Sequence, residues 1–146
     1  DSYRAITKVG NYAVKLVESN NQAAPDNGLK LFFINLGGYQ QGSFEEFHYK
    51  LLVVATSQAD AIKQAKQSDF YKQFTFKDKT SPFNAASHID DKFEVDIDNI
   101  YNVNDLVSNI QILIEPMINN SHELTNADED KEYVGYLSIK NLKKLP

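Results

Sequence analysis

Leu29-Lys30-Leu31-Phe32-Phe33-Ile34-Asn35-Leu36 is apolar at nearly every position and runs into the pair Gly37-Gly38. So short an apolar run is a strand rather than a helix, and the lack of polar alternation means that both of its faces are covered. A central strand is predicted over Leu29–Leu36, with a bend at Gly37–Gly38. Phe47, Tyr49, Leu51 and Val53 alternate with His48, Lys50, Leu52 and Val54, which predicts a second strand over Phe47–Ala55, antiparallel to the first. Ser57 followed by Asp60, then Ala59, Ile62, Ala65 and Phe70 near helical spacing, predicts a capped helix from Gln58 to Tyr71.

Outside this centre, Arg4–Val9 and Tyr12–Glu18 flank Gly10-Asn11, a pair suited to a tight turn, and read as a β-hairpin. Ser19–Gly28 reads as a connecting loop and residues 72–89 as a long excursion without an element. Asp91, Phe93, Val95 and Ile97 then share one parity, while Asp90, Lys92, Glu94, Asp96 and Asp98 share the other. One face of that strand packs and the opposite face is acidic. Ile110, Ile112 and Ile114 form another alternating strand beyond a polar turn at Asn104–Asn109, followed by a polar loop over Asn119–Lys131. A last strand is predicted over Tyr133–Ile139, with Lys143-Lys144 in an exposed tail.

The chain has 146 residues, of which 42% are hydrophobic and 24% charged, the balance of an ordinary globular domain. Twenty Asp and Glu against fifteen Lys and Arg give a net charge of −5. Together with Arg4 as the sole arginine, this balance argues against a phosphate-neutralising surface, and no nucleic-acid partner is expected. The absence of Cys excludes disulfides, thiolate zinc sites and cysteine nucleophiles. No apolar run approaches the roughly 20 residues that span a bilayer. No membrane partner is expected, and the expected setting is cytoplasmic. The opening at Asp1 rather than Met reads as an incomplete N-terminus.

The opening hairpin has a counterpart after Asp98: Ile6 and Val9 match Val103 and Leu106, and Tyr12, Val14 and Leu16 match Ile110, Ile112 and Ile114, with a second turn one residue longer. This reads as an internal repeat whose first copy has lost its upstream strands and helix. An isolated hairpin is marginal in water, so the opening one must dock on the second unit or on a neighbouring molecule. The predicted fold is α+β, mainly antiparallel sheet, with one main helix per ββαββ-like unit. The predicted organisation is a terminal hairpin over 1–18, a linker over 19–28, a complete repeat over 29–118 and a loop and strand tail over 119–146.

Three segments carry a resemblance: Leu31-Phe32-Phe33-Ile34-Asn35-Leu36-Gly37-Gly38-Tyr39, then Phe44-x-Glu46-x-His48, then His88-x-Asp90-Asp91-x-Phe93-x-Val95-Asp96. Their order and spacing resemble the bacterial family called domain of unknown function 1543, over about residues 1–18, 29–71 and 88–140. The family commonly carries two related copies. Val9-Gly10-Asn11-Tyr12 is similar to the end of its first copy, and Tyr133-x-Gly135-Tyr136 to its C-terminal segment. The resemblance implies a chain lacking most of copy one. It supplies no chemistry, since the family's activity is itself unassigned.

Candidate chemistry rests on Glu46 and His48, two apart on one strand face, together with His88, Asp90 and Asp91 at another strand's start. Imidazole and carboxylate in one cluster suit a divalent metal such as zinc, manganese or iron, or acid–base work. No signature such as HExxH is present, and the preferred reading is structural, with these side chains bonding loop backbone around the Gly37–Gly38 turn. Gly37-Gly38 lacks the Lys-Ser/Thr or helix start of a phosphate loop. Glu94, Asp96 and Asp98 form an acidic face that would attract a basic protein, although a solvated face is the simpler reading. Ser43 and Ser57 have no His/Asp partners for nucleophilic catalysis.

The function expected from these features is non-catalytic binding or assembly, including self-association through strand edges or the terminal hairpin. The runner-up is a metal-dependent ligand binder or enzyme using Glu46, His48, His88, Asp90 and Asp91. A third reading is an acidic protein that neutralises a basic partner.

Overall fold

In the computed structural model the apolar run becomes β4 (Lys30–Tyr39), the middle strand of a sheet ordered β5-β4-β6, with β5 at Glu46–Ala55 and β6 at Val95–Asn102. The structure describes residues 3–18, 27–40, 42–74, 95–117, 130–135 and 138–144, with 95–99 and 142 described by their backbone. Both pairings of this main sheet are antiparallel. The glycine pair does not bend the chain. Gly37 and Gly38 lie inside β4, buried, opposite His48 and Phe47 on one side and Asp96 and Val95 on the other. With ladder partners on both sides, extended backbone is held here without side chains of its own to pack.

The two faces of β4 are covered by different layers. Phe32, Ile34 and Leu36 join Val53 and Ala55 of β5 beneath a helical layer that contributes Ala61, Ala65 and Tyr71. That layer is α1 (Gln58–Ala65) followed by α2 (Asp69–Gln73), not one helix through Tyr71. Ser57 caps α1 by accepting from the Asp60 N–H, as its spacing predicted. Ser68 interrupts the run by capping α2 through the Tyr71 N–H, because a serine side chain competes with the helix for backbone donors.

On the opposite face, Leu31 and Val54 pack against Val14, Ile112 and Ile114. The last three belong to a small sheet ordered β2-β3-β7, made of β2 (Lys8–Val9), β3 (Tyr12–Glu18) and β7 (Ile110–Pro116). The described residues are therefore layered as helices, main sheet and small sheet, an α+β fold in which every strand pair among them is antiparallel.

The opening hairpin forms about Gly10, whose φ of 57° suits a residue without Cβ. Its first arm is shorter than predicted. Only Lys8 and Val9 pair with β3, while β1 (Tyr3–Arg4) pairs with β8 (Glu132–Tyr133). Of the strand expected over Tyr133–Ile139, Tyr133 lies in β8, residues 136 and 137 fall outside the described ones, and Ile139 instead opens a short helix α3 (Ile139–Leu142), which Ser138 caps through the Asn141 N–H.

The second hairpin does not form. β6 pairs with β4 and β7 pairs with β3, and Val103–Asp105 make a 3₁₀ turn that carries the chain from one sheet to the other. The matched apolar residues face each other across two strands of one sheet, with Val14 opposite Ile114 and Leu16 opposite Ile112. The strict parity read from Asp90 onward also breaks. Leu36 is opposite Ile97 but Asn35 is opposite Asn99, so Asp98 is an extra residue in a β-bulge. The bulge brings Ile97 and Ile100 to register positions of one face, opposite Leu36 and Ile34.

Candidate functional site

Of the predicted polar cluster, Glu46 and His48 are described, and His88, Asp90 and Asp91 lie outside the described residues, as does Glu94. Glu46 begins β5 opposite Tyr39, and His48 follows opposite Gly37. Residues two apart on a strand share a face, and here Glu46 Oε2 lies 3.8 Å from His48 Nε2, with both side chains about 40% exposed (39% and 42%). The contact is an ion pair only when the imidazole is protonated. Among the described residues no three His, Asp or Glu side chains come together as a metal-ligand group. Asp96 and Asp98, expected on one acidic face, are separated by the bulge: Asp96 is opposite Gly37 and Asp98 has no partner position.

The same face of β5 continues through Lys50, Leu52 and Val54, from exposed and charged at one end to buried and apolar at the other. β5 is an outer strand of the main sheet. Two side-chain contacts fix which of its backbone groups point outward. Asn104 Oδ1 accepts from the Leu31 N–H at 3.2 Å, on the β6 side of β4, and Gln64 Nε2 donates to the Val54 carbonyl at 3.1 Å. Leu31 and Val54 are opposite each other, so they form a non-hydrogen-bonded pair, and the backbone groups of Val54 face away from β4. By the period of two, Leu52, Lys50, His48 and Glu46 also turn their N–H and C=O groups outward. Among the described residues no strand lies beyond β5 in this sheet.

A crevice of about 660 Å³ runs along this edge. Four consecutive β5 residues, Tyr49 to Leu52, line it. Successive strand residues point to opposite faces, so a cavity touching all four follows the edge of the strand rather than either face. Across the crevice stand Lys8 and Val9 of β2, one of the two outer strands of the small sheet, together with Ile6. Its floor is apolar at Phe33 and Leu52, and its rim carries Arg4, Lys8 and Lys50 beside Asp130 and Glu132.

The rim carboxylates are engaged within the chain. Glu132 accepts from the Arg4 guanidinium, and Asp130 Oδ1 accepts from the Thr7 backbone N–H at 2.9 Å and from its hydroxyl at 2.5 Å. These contacts tether the opening segment to residues 130–132 and form one wall of the crevice. Lys50, by contrast, makes no ion pair within the chain among the described residues. A sheet edge beside an apolar floor and an available ammonium is suited to an extended segment. Main-chain hydrogen bonds would hold its backbone, and the floor and the lysine would select its side chains.

Lys50 and Leu52 were not singled out from the sequence. Their alternation identifies a strand but not its place in the sheet, and only sheet order makes β5 an edge. On the helical side of the same edge lies an aromatic row, with Tyr49 stacked on Phe70 at 5.5 Å, Phe70 on Phe74 at 4.4 Å and Phe47 tilted against Phe74 at 5.2 Å. Phe44, just before β5, is fully exposed.

No family model, curated protein or solved structure matches this chain. Fold and site define an α+β, mainly antiparallel protein in which, among the described residues, β5 is an outer strand beside a crevice. Among the described residues no helix is long and apolar enough to cross a membrane.

Proposed function

We propose that this chain is a non-catalytic binding and assembly module whose recognition element is the outer edge of β5. The observation carrying this reading is the phase of the β4–β5 ladder, which turns the main-chain groups of Lys50 and Leu52 toward the crevice. The resemblance to the domain of unknown function 1543 family belongs to the same proposal, since its Phe44-x-Glu46-x-His48 motif falls at the start of this edge.

Selection from a displayed library of eight-residue peptides tests the reading. The wild-type protein enriches extended peptides, and Lys50→Pro, which removes an outward N–H and leaves the β4 ladder intact, loses them. A wild-type protein that enriches nothing, or a folded proline variant that binds equally well, overturns the proposal.

A divalent-cation site is the second reading, favoured by the Glu46–His48 contact. It requires further ligands from His88, Asp90 or Asp91. Calorimetric titration with zinc or manganese gives uptake that His48→Ala abolishes if this reading holds, and no heat if it does not. A basic protein partner for the residues around Glu94, Asp96 and Asp98 rests on charge alone.

A further inference from the structure

We infer that the partner recognised at the outer edge of β5 is an acidic extended peptide, running antiparallel to Tyr49–Leu52 with a carboxylate side chain opposite Lys50 and an apolar one two residues earlier, opposite Leu52. The inference rests on the edge-recognition reading above and names its partner class.

Charge supplies the first argument. Arg4, Lys8 and Lys50 line the crevice beside this edge, against the carboxylates Asp130 and Glu132, in a chain whose net charge is −5. Both carboxylates are engaged, Glu132 by the Arg4 guanidinium and Asp130 by Thr7. Lys50 is exposed, and its neighbour across the β4 ladder is the neutral Asn35. Its ammonium is therefore the charge that a partner can complement, and opposite charges directly across two strands stabilise their pairing.

Backbone phase supplies the second. Lys50 and Leu52 turn their N–H and C=O groups outward. In antiparallel addition each exchanges both bonds with the one residue opposite, so two alternate residues of the peptide satisfy four main-chain groups. The side chains of those two residues lie on the face that carries Lys50 and Leu52. The one opposite Leu52 meets the apolar floor of Leu52 and Phe33. The residue opposite Tyr49 lies on the other face, beside the Tyr49–Phe70 stack, where an aromatic ring adds a cross-strand contact. In the peptide's own direction the pattern is apolar, any residue, acidic, aromatic.

The probe is a fluorescein-labelled peptide with Leu-Thr-Glu-Tyr between serine and threonine flanks, followed by anisotropy. It binds the wild-type protein, and the same peptide with Gln for Glu binds about three- to fivefold more weakly, a difference that narrows at high salt. Lys50→Gln abolishes the difference without weakening the Gln peptide, and Lys50→Glu turns the preference toward a peptide with Lys at that place. Equal binding of the Glu and Gln peptides to the wild type, or a Lys50→Gln protein that loses both alike, overturns the acidic partner. Equal binding of the reversed order Tyr-Glu-Thr-Leu overturns the antiparallel direction.

If the Glu and Gln peptides bind alike and Lys50→Pro loses both, the wider edge-recognition reading stands and this inference falls. The same holds if neither binds while the displayed library yields other peptides. If the library also yields none, both fall.

Discussion

The side-chain amide of Asn27 donates a 2.7 Å hydrogen bond to the carbonyl of Ile114, linking the approach to β4 with β7 of the other sheet. Its Oδ1 accepts from the Leu29 N–H at 3.1 Å, so both ends of one side chain are engaged. The link is part-buried, where an orphaned carbonyl is costly. Asn27→Ala is expected to lower stability by about 1–3 kcal/mol for two hydrogen bonds. Asn27→Asp is expected to be no better, since it keeps the acceptor but sets a carboxylate against the Ile114 carbonyl. Urea unfolding of the three proteins checks the order.

Burial separates two aliphatic residues that the sequence presents alike. Ile34 is fully buried beneath the helical layer, whereas Leu16 in β3 is 66% exposed. Ile34→Ala should cost about 2–5 kcal/mol through lost transfer energy and the cavity left behind. Leu16→Ala should cost less than about 1 kcal/mol. Equal losses in thermal unfolding would contradict the layering of the sheets.

Asp98 is the extra residue of the bulge, and its neighbours Ile97 and Asn99 already face consecutive residues of β4, Leu36 and Asn35. Deleting Asp98 therefore closes a regular ladder. The deletion variant is expected to keep the wild-type circular dichroism spectrum and stability within about 1 kcal/mol. An unfolded product would mean that the extra residue sits elsewhere in β6.

Lys15 and Glu115 approach to 3.2 Å between β3 and β7, with 64% and 60% of their side-chain surfaces exposed. Water screens such a pair, so a double-mutant cycle with alanine at both positions should give a coupling below about 1 kcal/mol. That coupling should shrink further in 0.5 M salt, where the Debye length falls to about 4 Å. A large, salt-independent coupling would show that the pair is shielded from solvent.

The sequence by itself determined those elements whose side-chain period is local. The nearly continuous apolar run marked β4 as a strand covered on both faces, alternation marked β5, β3 and β7, and Ser57 with Asp60 marked the start of α1. Period and capping depend on neighbours a few residues away, so they can be read from the chain. Tertiary structure decided what distant segments settle between them. Gly37-Gly38 has the composition of a bend, yet ladders on both sides keep it extended. The segments around Val103 and Ile110 have the pattern of a hairpin, yet their strands found partners in two different sheets. Alternation assigns residues to faces but says nothing of which strand lies outermost. The edge at Lys50 and Leu52, and the crevice beside it, therefore emerged only when sheet order was known.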